Sequence, residues 1–517
     1  MGVEELPNSG NKFTGSRMIV PGVGLNTFRV QKNDKFAIRR NPFANSINAS
    51  PTPTPSITPT NTPTPSVTPT MTPTPSSSPL PIPQTFTFNT SSLDAITIQL
   101  SFSSSTFSSG GYVDWGDSSS SNITTFVQSL YSHVYSSPYT GQITINYYGN
   151  IQIMSCSSGT PLVSTSIVFD SLEISNLVGL QSLSLSSRAS RLEGQISDLN
   201  TLNTLTALTI SNDYTSSNLS DIPVSVKVLS LGSGGAGYTT ISGDLSSLSS
   251  NNLTTLVIGG TNTVFGDLST LPSTLLIISI QGNNTVSGDT LNFNFPNLTQ
   301  VTVWGDNTIG GDVANLPPNI TAISMIGDNT LYGNLSDFPS SLTTILLSAP
   351  VGGLITGDLS DLPNSSYSQL LLTSNNFMIS ANTATIPVIT SATFHVKIKG
   401  SLTGDLSNIF NVGTDFPSCT FILDASNASP CSLTYTSGLF PWGSLTMNTI
   451  TLYTSTNLTN TEIDNLLIDI DSYGGGATWV SCVGNPSYII LNGTRTAASD
   501  AAVTSLNGKG VTVTVTT

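Results

Sequence analysis

Two histidines, His133 and His395, are all the imidazole in this 517-residue chain. No Ser-His-Asp set, zinc spacing, P-loop or dinucleotide fingerprint emerges around them. The remaining candidates for chemistry are carboxylates. Asp114 and Asp117 flank Trp115-Gly116. Such a pair could share a calcium ion, or Asp117 could accept backbone N–H groups in a turn; the turn is the simpler reading. A second set, Asp244, Asp267, Asp289, Asp312, Asp358 and Asp405, follows a glycine each time. Carboxylates stacked at about 5 Å would repel by roughly 1–3 kcal/mol per neighbour. They must splay into solvent, accept N–H bonds or share a cation, and capping of a turn is the expected solution. No catalytic residue and no cofactor are expected. A pair of acids suited to glycoside hydrolysis stays as a minor alternative.

The Gly-Asp pairs set the elements that must hold them. They begin at Gly243, Gly266, Gly288, Gly311, Gly357 and Gly404, with Gly333-Asn334 as a variant. The spacing is 22 to 24 residues, with one double step. A fixed period of that size marks a solenoid, whose units must stack to bury their apolar faces. Upstream of each Gly-Asp lies an apolar trio, as in Leu253-x-x-Leu256-x-Ile258 or Leu298-x-x-Val301-x-Val303, and then Asn-Thr, as at Asn262, Asn284, Asn307 and Asn329. The trio predicts a short strand pairing with its copies about 4.8 Å away. The asparagine is expected to satisfy backbone groups and to stack. Eight to eleven coils are predicted.

Charge divides the chain. Net charge is −15 with only 8% charged residues. The first 40 residues nevertheless carry a local net of +4, through Lys12, Arg17, Arg29, Lys32, Lys35, Arg39 and Arg40. The rest must hold −19, which disfavours nucleic acid as a partner. Residues 51–83 are a Pro/Thr/Ser tract with a period of ten. Proline removes donors and fixes φ, so polyproline II is expected, spanning about 100 Å if extended. No segment has the apolar length of a membrane helix, so no membrane insertion is expected. Residues 1–13 lack an apolar signal core, so export by the general route is not expected. Cys156, Cys419, Cys431 and Cys482 form no C-x-x-C pair. They read as small buried side chains, and a Cys419–Cys431 disulfide stays open.

Residues 84–157 alternate apolar and polar side chains over several short runs, with Trp115-Gly116-Asp117 and His133-x-Tyr135 in that order. This resembles a PKD-type immunoglobulin-like sandwich. The resemblance implies Trp115 in the core, a turn at Gly116-Asp117 and His133/Tyr135 bracing the far sheet. The repeat resembles the leucine-rich repeat, with its asparagine one residue late. Near the C-terminus, Ile463, Leu466, Leu467 and Ile470 predict the one convincing amphipathic helix, with Asn460 or Thr461 as N-cap.

The predicted fold is mainly β. An immunoglobulin-like sandwich (84–157) precedes a leucine-rich-repeat-like parallel β-solenoid (158–450) with a C-terminal cap (451–517). A Pro/Thr-rich linker (51–83) joins them to an extended N-terminal anchor (1–50). The order resembles a bacteriophage virion protein, a head or neck fibre or capsid decoration. That resemblance implies docking of residues 1–50 on a capsid, neck or tail protein, with Arg17, Arg29, Lys32, Lys35, Arg39 and Arg40 as the contact set. The solenoid would then meet a host-surface glycan or protein from the surface of the virion. A bacterial cell-surface adhesin is the alternative.

Overall fold

An apolar trio that alternates in and out needs a strand, and a strand with one buried face needs neighbours; the repeat supplies both. A computed structural model describes residues 4–5, 16–17, 82–157, 167–185, 190–211, 216–232, 240–348, 352–364, 366–409, 420–438, 449–454, 458–473 and 487–516. Two units are distinct, 1–78 and 79–517. In the first, β1 (Glu4–Glu5) pairs antiparallel with β2 (Ser16–Arg17). Residues 51–81 of the Pro/Thr tract fall outside the described residues.

The second unit opens with β3 (Gln84–Phe102), β4 (Gly111–Asp114), β5 (Ser120–Ile123), β6 (Ser129–Tyr147), β7 (Ile151–Ser157) and β8 (Ile167–Asp170). β3 and β6 are 19 residues each and pair antiparallel along two stretches. The second half of β6 lies between the first half of β3 and β4, which pairs with β5; the second half of β3 lies between the first half of β6 and β7. Each long strand therefore passes from one layer to the other. Trp115, Phe86, Phe102, Ile143 and Ile145 fill the space between.

β7 has two neighbours of opposite sense. On one side it pairs antiparallel with β3; on the other it pairs parallel with Ser182–Leu185, the first rung of the solenoid. Likewise β8 pairs parallel with Ser190–Glu193. The antiparallel module and the solenoid thus share one sheet of 21 strands. The rungs keep strict register, as in Leu256↔Ile278↔Val301↔Ile323↔Ile345↔Leu370. Strict register is what the trio demands, because a slip of one residue would turn every leucine outward.

A second ladder of ten strands runs from Ser216–Asn218 to Cys431–Thr434 and contains the Gly-Asp steps. Here each coil shifts by two residues, so Phe265 stands opposite Thr285 and Gly266 opposite Val286. A short 3-10 turn follows the Gly-Asp steps, for example Leu268–Thr270, except at Gly404-Asp405, where the helix Leu406–Ile409 follows. One coil buries Leu253, Leu256, Ile258, Val264, Leu268 and Leu271. Each such side chain contributes roughly 1.5–3 kcal/mol when withdrawn from water.

The segment expected as a cap also continues the first ladder. Thr449–Thr454, Ser487–Asn492 and Val511–Thr516 pair parallel in sequence, while the second ladder ends at Thr434 among the described residues. The helix Asn460–Tyr473 replaces it and buries Ile463, Leu466, Leu467 and Ile470. Its N-cap is Thr459 rather than Asn460 or Thr461. Thr459 Oγ1 accepts from Glu462 N at 3.2 Å, and Glu462 Oε2 accepts from Thr459 N at 2.7 Å. That reciprocal pair outcompetes a lone cap at Asn460 because it satisfies two backbone donors. A second helix, Asp500–Gly508, was not expected. Its core contacts come chiefly from Ala502 and Leu506, too few to give a periodic signal.

Candidate binding face

The Gly-Asp residues are the most regular polar feature, and their work is local. Asp244, Asp267, Asp289, Asp312 and Asp358 each accept from the backbone N–H two residues on, at 2.8–3.0 Å. Asp405 does the same with Ser407 at 2.8 Å. The first five therefore cap their own 3-10 turns, and Asp405 caps the short helix Leu406–Ile409. The preceding glycines adopt positive φ, 111° at Gly266, which side chains rarely tolerate. Asp358 also accepts from Ser360 Oγ at 2.8 Å. Asp405 gains partners from another coil, Thr436 N and Oγ1. Burial raises its pKa, but these hydrogen bonds with those from Ser407 outweigh it and hold the carboxyl below the usual range.

The buried asparagines are satisfied unequally. Asn284 Nδ2 donates to Gly282 O at 3.2 Å and to Trp304 O of the next coil at 2.7 Å. Asn262 donates to Gly259 O and Gln281 O, and Asn329 Oδ1 accepts from Ile309 N. Neither polar side-chain atom of Asn307 has a partner among the described residues. The expected stack is thus a set of links between coils, with one link missing.

Asp114 and Asp117 serve different turns. Asp114 Oδ1 accepts from Gly116 N at 2.9 Å. Asp117 Oδ1 accepts from Ser119 N at 3.1 Å and Ser119 Oγ at 2.5 Å, and its Oδ2 lies 2.8 Å from His133 Nε2. The Ser119 bonds, with help from His133, hold the Asp117 carboxyl below the ordinary range. His133 stacks on Trp115 at 5.2 Å, and Tyr135 donates to Trp115 O at 2.9 Å. No group of three or more His, Cys, Asp or Glu suited to a metal occurs among the described residues. Of the basic residues expected to anchor the chain, Arg17 lies in β2, while Arg29, Lys32, Lys35, Arg39 and Arg40 fall outside the described residues. Cys156 and Cys431 are buried, and Cys419 and Cys482 fall outside the described residues, so the Cys419–Cys431 pairing does too.

What remains is the outward face of the first ladder, formed by the residues between the apolar trio. Its central row runs Ser184, Thr209, Ser230, Val257, Ser279, Thr302 and Ser324, of which Ser279, Thr302 and Ser324 are buried by their neighbours. It continues with Leu346, Leu371, His395 and Ile422, three aliphatic side chains and one imidazole. Along one side stand Trp304, Ile326, Lys397, Asp424 and Tyr453. Trp304 Nε1 donates to Ser324 Oγ at 2.7 Å, which lays the indole over the next rung. Trp304 and Tyr453 are 38% and 37% exposed, enough to present a ring face. Six rungs, roughly 29 Å, separate them.

Charge is nearly absent from this face. Among the described strands that continue the rung Ser182–Leu185, from Ala207–Ile210 onward, only Lys397 and Asp424 are charged, and they pair at 3.2 Å; Arg191 and Glu193 lie on Ser190–Glu193, the strand beside β8. Burial raises Asp424, but Ser426 and Lys397 bring it below the usual carboxylate range. Burial pushes His395 down, so it is neutral at pH 7. The face offers rings, methyls, hydroxyls and amides, with no net charge. Alternation about the trio would have located these outward positions from sequence; which were exposed required the packed coils.

Comparison with family models and with curated proteins finds no match. Among solved structures, the chain is similar to the plant peptide hormone receptor RGFR1 in complex with RGF2. Identity is 16% and the TM-score 0.39, over 66% of this chain and 61% of that one. It is also similar to the leucine-rich-repeat ectodomain of the Arabidopsis receptor kinase HAESA in complex with an N-terminally extended IDA peptide hormone. There identity is 14% and the TM-score 0.30, over 62% and 68% of the two chains. The chain spans about three fifths of the first receptor's length. The solenoid itself is defined by the register of its own rungs.

Proposed function

We propose that this chain is a structural component of a bacteriophage particle, a head or neck fibre or capsid decoration protein, that displays an adhesive solenoid to the host surface. The observation that carries the adhesive reading is the uncharged outward face of the first ladder with its exposed Trp304 and Tyr453. Aromatic faces cover the apolar side of a sugar ring, and amides and hydroxyls such as Gln300 and Ser348 meet its hydroxyls. A face without net charge suits a neutral glycan or an uncharged protein surface. Contacts of this kind are weak singly, and many copies on one particle raise them by avidity. In this reading residues 1–50 bind an acidic surface of the particle through their basic residues, and the Pro/Thr tract holds the solenoid outward. An immunoglobulin-like identity for residues 84–157 belongs to the same proposal, supported by the two antiparallel layers and the buried Trp115.

The test uses the full chain coupled in many copies to beads, offered to candidate host cells and to immobilised neutral glycans. Binding should be retained in the parent and lost on Trp304→Ala with Tyr453→Ala. Absence of binding by the parent to every surface would overturn the adhesive reading. Labelled antibody failing to decorate intact particles would overturn the virion reading.

A further inference from the structure

The edge strand of the shared sheet is built without the features that keep strand edges apart. Residues Ser129–Val134 of β6 pair with β3 on one side, Leu130↔Gln99 through Val134↔Ala95. Among the described residues no strand pairs with their other side. The side chains alternate: Tyr131 and His133 turn toward the core, Leu130, Ser132 and Val134 turn out. Leu130 is 66% exposed and Val134 75%. Phe126 and Val127, just before the strand, are 45% and 55% exposed. The apolar exposure stops at this strand. On β3 the outward residues are Thr97, which hydrogen-bonds Ser132 at 3.0 Å, and Gln99, which accepts from Ser155.

Natural edges are blunted by lysine, proline, bulges or inward charges. Between Ser118 and Gly141 the only ionisable groups besides tyrosines are those of His133, which is tied to Asp117; the only proline, Pro138, and the register irregularity of β6 both lie after Val134, outside the edge segment. The segment is also self-complementary. Placed antiparallel about Ser132, Leu130 meets Val134 and Ser132 meets Ser132.

We propose that a second copy of this chain pairs antiparallel along Leu130–Val134, with the two-fold axis at Ser132. Such pairing is isologous, so it closes as a dimer and cannot grow into a filament. Each exposed leucine gains a valine from the second copy, and the unpaired backbone groups of both edges are satisfied together. The two sheets then join into one across the axis. A five-residue strand pair is a small interface, so the dimer forms reversibly with concentration. It also doubles the number of solenoids that one attachment point presents.

Sedimentation of the full chain across a concentration series tests the association. The expected result is a shift from 54.0 kDa toward twice that mass, abolished by Leu130→Lys with Val134→Lys at unchanged far-ultraviolet circular dichroism. A second readout does not depend on those lysines being tolerated. Ser132→Cys should form a covalent dimer on mild oxidation, because the two thiols face each other, while Ser136→Cys and the parent chain should not. A parent that stays monomeric up to its solubility limit, a trimer, or a dimer in which Ser132→Cys fails to cross-link more than Ser136→Cys would each overturn the proposal.

Discussion

Gly266 lies directly against Asp244 of the coil before it: a Cβ on Gly266 would stand 2.5 Å from Asp244 Oδ1. The same holds for Gly311 and Asp289, again 2.5 Å. The dipeptide therefore works across coils. The aspartate caps the turn of its own coil, and the next coil's glycine leaves room for the carboxylate.

Gly266→Ala should destabilise on two counts, the positive φ and the contact with Asp244. The expected loss is about 1–3 kcal/mol. Gly508→Ala is the control, since nothing lies within 4 Å of a Cβ there and the residue is helical. Urea unfolding followed by circular dichroism should lower the midpoint for the first variant and leave the second unchanged or raised.

Asp464 ties the helix Asn460–Tyr473 to the loop that follows the Ser487–Asn492 strand. It is buried and accepts from Thr496 N at 3.0 Å, Thr496 Oγ1 at 2.5 Å and Ser499 Oγ at 2.6 Å. Burial raises its pKa, yet these bonds bring it below the usual range. A carboxyl depressed in the folded state binds its proton more readily when unfolded. Its stabilisation is therefore complete above the unfolded pKa of about 3.9 and fades as pH falls through the lower folded value. Asp464→Asn should cost about 1–3 kcal/mol at pH 7 and flatten the acid side of the stability profile. Hydrogen exchange of the 496–499 amides across pH 2–6 is the measurement.

The two asparagines of neighbouring coils should respond oppositely to an apolar isostere. Asn284→Leu removes both links to Gly282 O and Trp304 O and strands the carbonyls. Asn307→Leu removes buried polar atoms that have no partner among the described residues. The first should lower stability by about 1–3 kcal/mol and the second leave it level or raise it. Paired thermal melts decide between them.

In the antiparallel module, Trp115→Ala should cost about 3–5 kcal/mol, because the ring is 1% exposed and covered by His133. Asp117→Asn should cost far less. Its ion pair with His133 is partly solvated, at 31% side-chain exposure for the aspartate, and such pairs contribute at most about 1 kcal/mol. Near-ultraviolet circular dichroism should lose its tryptophan bands only in the first variant.

Much of the solenoid was legible because it is local and repeated. Leu256 and Ile258 declare a strand by alternation, Gly266-Asp267 declares a turn, and Ile463, Leu466, Leu467 and Ile470 declare a helix face. Each follows from backbone geometry within one coil. The candidate binding face was less legible, since Trp304 and Tyr453 look in sequence like any aromatic after an apolar run.

The sequence by itself determined the period, the strand–turn alternation within each coil, and the near absence of charge. Those properties depend on residue type and on neighbours a few positions away. Only the tertiary structure decided that β7 and β8 each pair antiparallel with β3 on one side and parallel with a solenoid strand on the other. It also decided that the second ladder slips by two residues, that Gly266 answers to Asp244, and that Leu130 and Val134 are left uncovered. These are relations between segments about 20 or more residues apart, set by which surfaces meet when the chain packs, and no local pattern encodes which surface a neighbour will cover.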